Sequence, residues 1–124
     1  MGDIYLELTI ANLYDLERQQ EIPFLVDTGS TRAWIPRQVA DELGIEPAGD
    51  ISLELADGSI KEFPYGFCFF DFGGEMIAGN VIIGPSECEP LVGTHVLQDF
   101  RLIIDMERDT ISRSRAMKAK QGGS

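Results

Sequence analysis

The sequence predicts an all-β domain carrying one or two short helices. Three observations predict it. Ile4, Leu6, Leu8 and Ile10 alternate with Tyr5, Glu7 and Thr9, the period of two expected of a strand with one buried face. Residues 51–63 are centred on Asp57-Gly58, a pair favoured in tight hairpin turns. Helix signals are confined to two stretches, one after Pro36 and one over residues 94–100.

The elements follow in order. After the first strand, residues 11–20 are polar enough for a connection, and 21–26 form the second strand. Pro23 places the start of that strand at a sheet edge or a bulge, since proline donates no ladder hydrogen bond. Residues 31–35 return as a strand, and Pro36 suits the first turn of a helix. Val39, Ala40 and Leu43 share one face of that helix, and Gly44 can end it in a left-handed cap. A two-residue type I′ turn at Asp57-Gly58 pairs Ala56 with Ser59, Leu55 with Ile60 and Glu54 with Lys61, the last a favourable cross-strand charge pair. Residues 65–72 are strongly apolar and aromatic, Gly73-Gly74 turns the chain, and 76–83 form another strand. Thr94 is the expected N-cap of the second helix. Residues 101–105 and 110–112 are expected to close the sheet.

A length of 124 residues fits one domain with a real core. That domain is assigned to residues 1–112, with 113–124 as a basic, solvated and disordered tail containing Arg113, Arg115, Lys118 and Lys120. The net charge of −11 argues against nucleic acid as a partner, because phosphate binding needs basic patches. No apolar run is long enough to span a membrane, so no membrane partner is expected. The N-terminus lacks the basic-then-apolar pattern of a signal peptide, and a cytoplasmic location is expected. Cys68 and Cys88 are then expected to be free thiols. His95 is the single histidine and no zinc-ligand spacing occurs, so neither a metal nor another cofactor is expected, and a Ser-His triad has little support.

Chemistry concentrates in Phe24-Leu25-Val26-Asp27-Thr28-Gly29-Ser30-Thr31. An apolar strand here delivers a carboxylate to a tight turn. Burying a carboxylate unpaired is costly, so its place at the end of such a strand calls for a reason. Gly29 allows a sharp turn or a positive φ, and the Thr28 hydroxyl can brace the turn. An ordinary structural turn is the plain alternative, since Asp and Gly mark turns generally.

The run Leu25-Val26-Asp27-Thr28-Gly29-Ser30 resembles the active-site loop of the aspartic proteases. Pro90-Leu91-Val92-Gly93 matches the apolar-apolar-Gly segment that follows this loop in retroviral-type members. The resemblance, to small non-viral retropepsin-like proteases, extends from about Ile4 to Ile111. It implies a closed β-barrel acting as a homodimer, with Asp27 as the catalytic carboxylate and Thr28, Gly29 and Ser30 as its loop. Thr28 would hydrogen-bond across the two-fold axis, Gly29 would let the substrate backbone approach, and Ser30 would donate to Asp27. It further implies a flap over an extended peptide substrate, with Ala56, Asp57, Gly58, Ser59 and Ile60 at its tip. Leu91, Val92, Gly93 and His95 would support the loop. His95 departs from the Asp or Asn usual at that position, which makes bracing by its side chain doubtful. Asp57-Gly58-Ser59 is not a second copy of the motif, so the second carboxylate must come from a second chain. The expected function is thus an aspartic endopeptidase. The alternatives are a retropepsin-fold dimerisation or peptide-binding module without useful turnover, and an unrelated β-barrel with a structural Asp turn.

Overall fold

The computed structural model describes residues 3–114. Its strands are β1 (Tyr5–Ala11), β2 (Gln19–Val26), β3 (Ala33–Pro36), β4 (Gly49–Glu54), β5 (Ile60–Phe72), β6 (Glu75–Gly84), β7 (Leu91–Val92), β8 (Leu102–Asp105) and β9 (Thr110–Arg113). Two short helices, α1 (Arg37–Leu43) and α2 (Thr94–Asp99), interrupt them. The fold is therefore mostly β, as expected. Among the described residues no helix is long and apolar enough to cross a membrane.

The alternation in β1 is realised directly. Leu6, Leu8 and Ile10 are buried while Tyr5 and Glu7 are exposed. Phe24 and Phe70 lie edge-to-face with ring centroids 6.4 Å apart, both fully buried at the centre of the core. Truncating such a phenylalanine to alanine costs roughly 3–5 kcal/mol, a large share of a small domain's stability.

Seven strands form one sheet in the order β1-β2-β7-β3-β6-β5-β4, and β1 also pairs with β5 through Thr9↔Asp71, Ile10↔Phe70 and Ala11↔Phe69. The sheet thus curls until its first strand meets its sixth. β7 is inserted between β2 and β3, parallel to β2 and antiparallel to β3. This insertion joins two segments more than sixty residues apart in sequence, and it positions the candidate site. Pro23 faces only β1, because β7 reaches β2 no further back than Leu25. The missing N–H therefore leaves no gap in a ladder.

Several expectations are corrected. β8 and β9 pair with each other in a separate two-stranded sheet and do not close the main one. Pro36 is the extended N-cap of α1, one place before the first turn, and Gly44 ends that helix with φ 70°. The N-cap of α2 is Gly93, and Thr94 is its first helical residue. β5 runs unbroken for 13 residues through Pro64, which pairs with Asp50 on one side and has no strand on the other.

The register of the β4–β5 hairpin also differs. Glu54 pairs with Ile60 and Leu53 with Lys61, so the Glu54–Lys61 pair does not form. The loop is one residue longer than a type I′ turn. The Gly58 N–H donates to the Leu55 carbonyl at 2.9 Å, the Leu55 N–H donates to the Ser59 carbonyl at 2.7 Å, and Gly58 alone has positive φ. That is the geometry of a turn followed by a glycine bulge. The two-residue turn occurs instead at Gly73-Gly74, both with positive φ, between Phe72 and Glu75.

Arg113, grouped with the tail on charge, is the last residue of β9. Its guanidinium donates to Glu75 at 2.7 Å and lies 4.9 Å from the Phe72 ring centroid. Arg101 makes a bidentate pair with the same carboxylate at 2.9 and 3.0 Å. The rest of the assigned tail, 115–124, lies outside the described residues.

Candidate active site

Asp27 directly follows β2 and is held by backbone on both sides. Its N–H donates to the Val92 carbonyl of β7 at 3.0 Å, and its own carbonyl accepts the Ser30 N–H at 3.0 Å. Its half-buried carboxylate accepts the Gly29 N–H on Oδ1 at 3.0 Å. No described residue donates to its Oδ2. Gly29 does not use a positive φ; a Cβ there would stand 3.3 Å from Asp27 Oδ1, so its value is close approach to the carboxylate.

The loop is supported by main chain. The first N–H groups of α2 donate into it, Thr94 to the Ser30 carbonyl at 2.9 Å and His95 to the Thr31 carbonyl at 3.1 Å. These contacts satisfy helix-terminal donors that otherwise lack partners. They require Gly93, because a Cβ there would lie 2.3 Å from the Ser30 carbonyl oxygen. The His95 side chain is exposed and forms no hydrogen bond among the described residues. His95 braces the loop through its backbone alone.

Ser30 is corrected too. Its hydroxyl donates to the Arg32 carbonyl at 3.0 Å and not to Asp27. The group that does donate to the carboxylate is the Gly29 amide.

A cavity of about 560 Å³ opens beside Asp27. Gly29, Ser30 and Leu91 line it with Asp27, as does Ala56 from the hairpin tip. Thr28, Val92, Gly93 and His95 do not border it, nor do Asp57, Gly58, Ser59 and Ile60. The last four sit at the exposed end of the hairpin, where Ile60 is 73% accessible. The Asp57 carboxylate accepts both the Ser59 N–H at 2.9 Å and the Ser59 hydroxyl at 2.6 Å, which holds its pKa below the ordinary aspartate value.

Sequence reasoning missed most of the walls. Ile51, Leu53 and Leu55 line the cavity from the hairpin, and Arg32 and Trp34 from the segment that follows the Asp27 loop. The period-two spacing of Ile51, Leu53 and Leu55 was a usable signal for the first group. Trp34 packs edge-to-face on Phe63 with centroids 4.9 Å apart, linking the cavity wall to the base of the hairpin. Cys68 is fully buried, and burial pushes its thiol up to about 12. Burial and the charge of Glu87 raise Cys88, and both cysteines are free.

The sequence profile of the aspartyl protease family matches residues 9–97, a span that includes the Asp27 loop, the hairpin and β7. The chain belongs to that family. EIAV protease in complex with an inhibitor is similar in structure, with a TM-score of 0.60 at 14% identity, covering 79% of this chain and 88% of that one. A retropepsin-like aspartic protease from Rickettsia conorii is similar too, with a TM-score of 0.60 at 18% identity, covering 84% of this chain and 77% of that one. No curated protein matches the sequence. At these identities the structural likeness establishes a retropepsin-like fold, within which this aspartyl protease chain places a single Asp-Thr-Gly beside an open cavity.

Proposed function

We propose that the protein is a homodimeric aspartic endopeptidase that hydrolyses extended polypeptides. The observation that carries this reading is Asp27 itself, a half-buried carboxylate with one oxygen fixed by the Gly29 amide, the other without a donor among the described residues, and a cavity of about 560 Å³ beside it. One chain supplies one Asp-Thr-Gly. A two-fold axis beside the loop brings a second Asp27 to the first. Two carboxylates about 3 Å apart cannot both ionise, so they share a proton and their pKa values split. The ionised member takes a proton from water as it attacks the peptide carbonyl, and the protonated member donates to the carbonyl oxygen. Thr28, exposed in the single chain, would hydrogen-bond across the axis. The β4–β5 hairpin would act as the flap, excluding water once a peptide is bound.

Subunit mixing tests this. Asp27→Asn keeps the shape and should fold, yet it cannot share a labile proton. At an equal mix of variant and parent with free exchange, activity should fall to roughly a quarter of the parent value, because only parent–parent dimers cut. Tagged subunits must confirm exchange. A linear fall to about half, with exchange confirmed, would overturn the shared site.

A further inference from the structure

Arg32 stands in the wall between two cavities. It lines the one that holds Asp27, and also a second of about 330 Å³ bounded by Asp50, Ile51, Tyr65, Phe67 and Asn80. Ile51 is the other residue common to both, so the two spaces adjoin along this edge. Arg32 immediately precedes β3, and its carbonyl accepts the Ser30 hydroxyl at 3.0 Å, which ties its backbone to the Asp27 loop.

Among the described residues its guanidinium has no hydrogen-bond or ion-pair partner. The side chain is half-buried, yet the ion pairs among the described residues involve Arg101, Arg108 and Arg113. A partly desolvated cation without a carboxylate or hydrogen-bond partner is unfavourable, and an anion would relieve it. Its surroundings sharpen the point. Glu54 borders the first cavity and Asp50 the second, both exposed, in a chain of net charge −11. Arg32 is the one cationic residue among those lining the two cavities, beside Asp27, Glu54 and Asp50.

We propose that Arg32 is a specificity-determining residue, selecting peptides that place an acidic side chain at the junction of the two cavities. The planar guanidinium can hold a carboxylate through two parallel hydrogen bonds, which an amide side chain cannot match. The inference rests on the reading of the cavity as a peptide cleft, but not on turnover.

The test uses uncleavable peptides with a reduced central amide bond. Glutamate is scanned through each position, with a matched glutamine series. Trp34, the single tryptophan, lines the cavity and provides a fluorescence signal that calorimetry can check. At one position glutamate should bind about tenfold more tightly than glutamine. Arg32→Gln should abolish that preference, Arg32→Lys should keep part of it, and Arg32→Glu should favour lysine at the same position. Equal binding of the two series everywhere would overturn the proposal, as would a preference that survives Arg32→Gln or a failure of any peptide to bind. Because the peptides are not cut, absent catalysis would not disturb the result. Hydrolysis of ordinary peptides is scored separately, so the protease reading can fail while this one stands.

Discussion

Two hairpins share strand β5 and differ in almost everything else. The outer one, β4–β5, is a two-stranded arm. β5 pairs with β6 only from Tyr65 onward, so residues 60–64 have β4 as their single neighbour. No residue of β4 is fully buried; half-buried and exposed positions alternate along it. The inner hairpin, β5–β6, meets β4 only at Tyr65, and has β1 against residues 69–71 and β3 against residues 81–84. It buries Gly66, Cys68 and Phe70 from one strand and residues 81–84 from the other. Its turn is clamped by Glu75 to Arg101 and Arg113. A two-stranded ribbon is marginal on its own, whereas a strand buried in a sheet opens only with the core. The arm is therefore expected to open more readily than the inner hairpin, and its tip residue Ala56 lines the cavity beside Asp27. Pro64 and the Phe63–Trp34 contact mark where the arm joins the fixed body.

The largest expected difference is in hydrogen exchange. Backbone amides of residues 51–55 and 60–63 should exchange at least about a hundredfold faster than those of residues 66–70. Exchange read by mass spectrometry on overlapping peptides separates the two. Equal protection would break the comparison and remove the arm's mobility.

A smaller effect concerns the two turns. Gly58 has φ 86° and Gly74 has φ 94°, and a Cβ at either meets nothing within 4 Å. Valine at either site costs only backbone strain, roughly 1–2 kcal/mol. Melting temperatures of Gly58→Val and Gly74→Val should therefore fall by similar amounts. Peptide hydrolysis should not: Gly58→Val should lose about tenfold in kcat/KM if flap closure is gated at this tip, while Gly74→Val should match the parent. Equal kcat/KM for the two variants would detach the arm from catalysis.

The same pair explains what could be read from residues alone. The alternation of Ile4, Leu6, Leu8 and Ile10 gave β1 because burial of one face dictates a period of two. The Asp27 loop was legible because turn-forming residues directly after an apolar strand mark the point where the chain leaves the sheet. The outer hairpin was legible as a hairpin but not in register. Asp-Gly suits both a two-residue turn and a turn with a glycine bulge, and the choice shifts every cross-strand pair by one. Arg32 was not legible as part of the site, because β3 and β4 are not neighbours in the sheet and no local pattern links the segments that line the cavity. Arg113 read as tail because it begins a basic run; its partner Glu75 lies 38 residues away. Support of the loop from residues 91–95 was expected, but that it runs through the main chain of α2 was hidden for a simpler reason. It uses backbone N–H groups, which every residue but proline carries, so the identity of His95 said nothing about it.

The smallest expected effect tests the clamp on the inner hairpin. Hydrogen bonds from Arg101, together with the charges of Arg101 and Arg113, hold the Glu75 carboxylate below its ordinary pKa. A carboxylate whose folded pKa is depressed contributes its stability fully above its unfolded value and loses it as pH falls through the folded one. Glu75→Gln should therefore melt below the parent at neutral pH by a few degrees at most, since the pair is solvent-accessible and screened. The gap should begin to close as pH falls below the ordinary glutamate value of about 4.3, and it should shrink in high salt. Hydrogen exchange adds the location. In Glu75→Gln, β8 and β9 should lose protection, because Arg101 and Arg113 anchor that sheet to the turn at Gly73-Gly74. The outer arm should be unaffected, having no contact with the clamp. A melting gap that persists unchanged into acid would mean that shape at Glu75, not its charge, distinguishes the fixed hairpin from the mobile one.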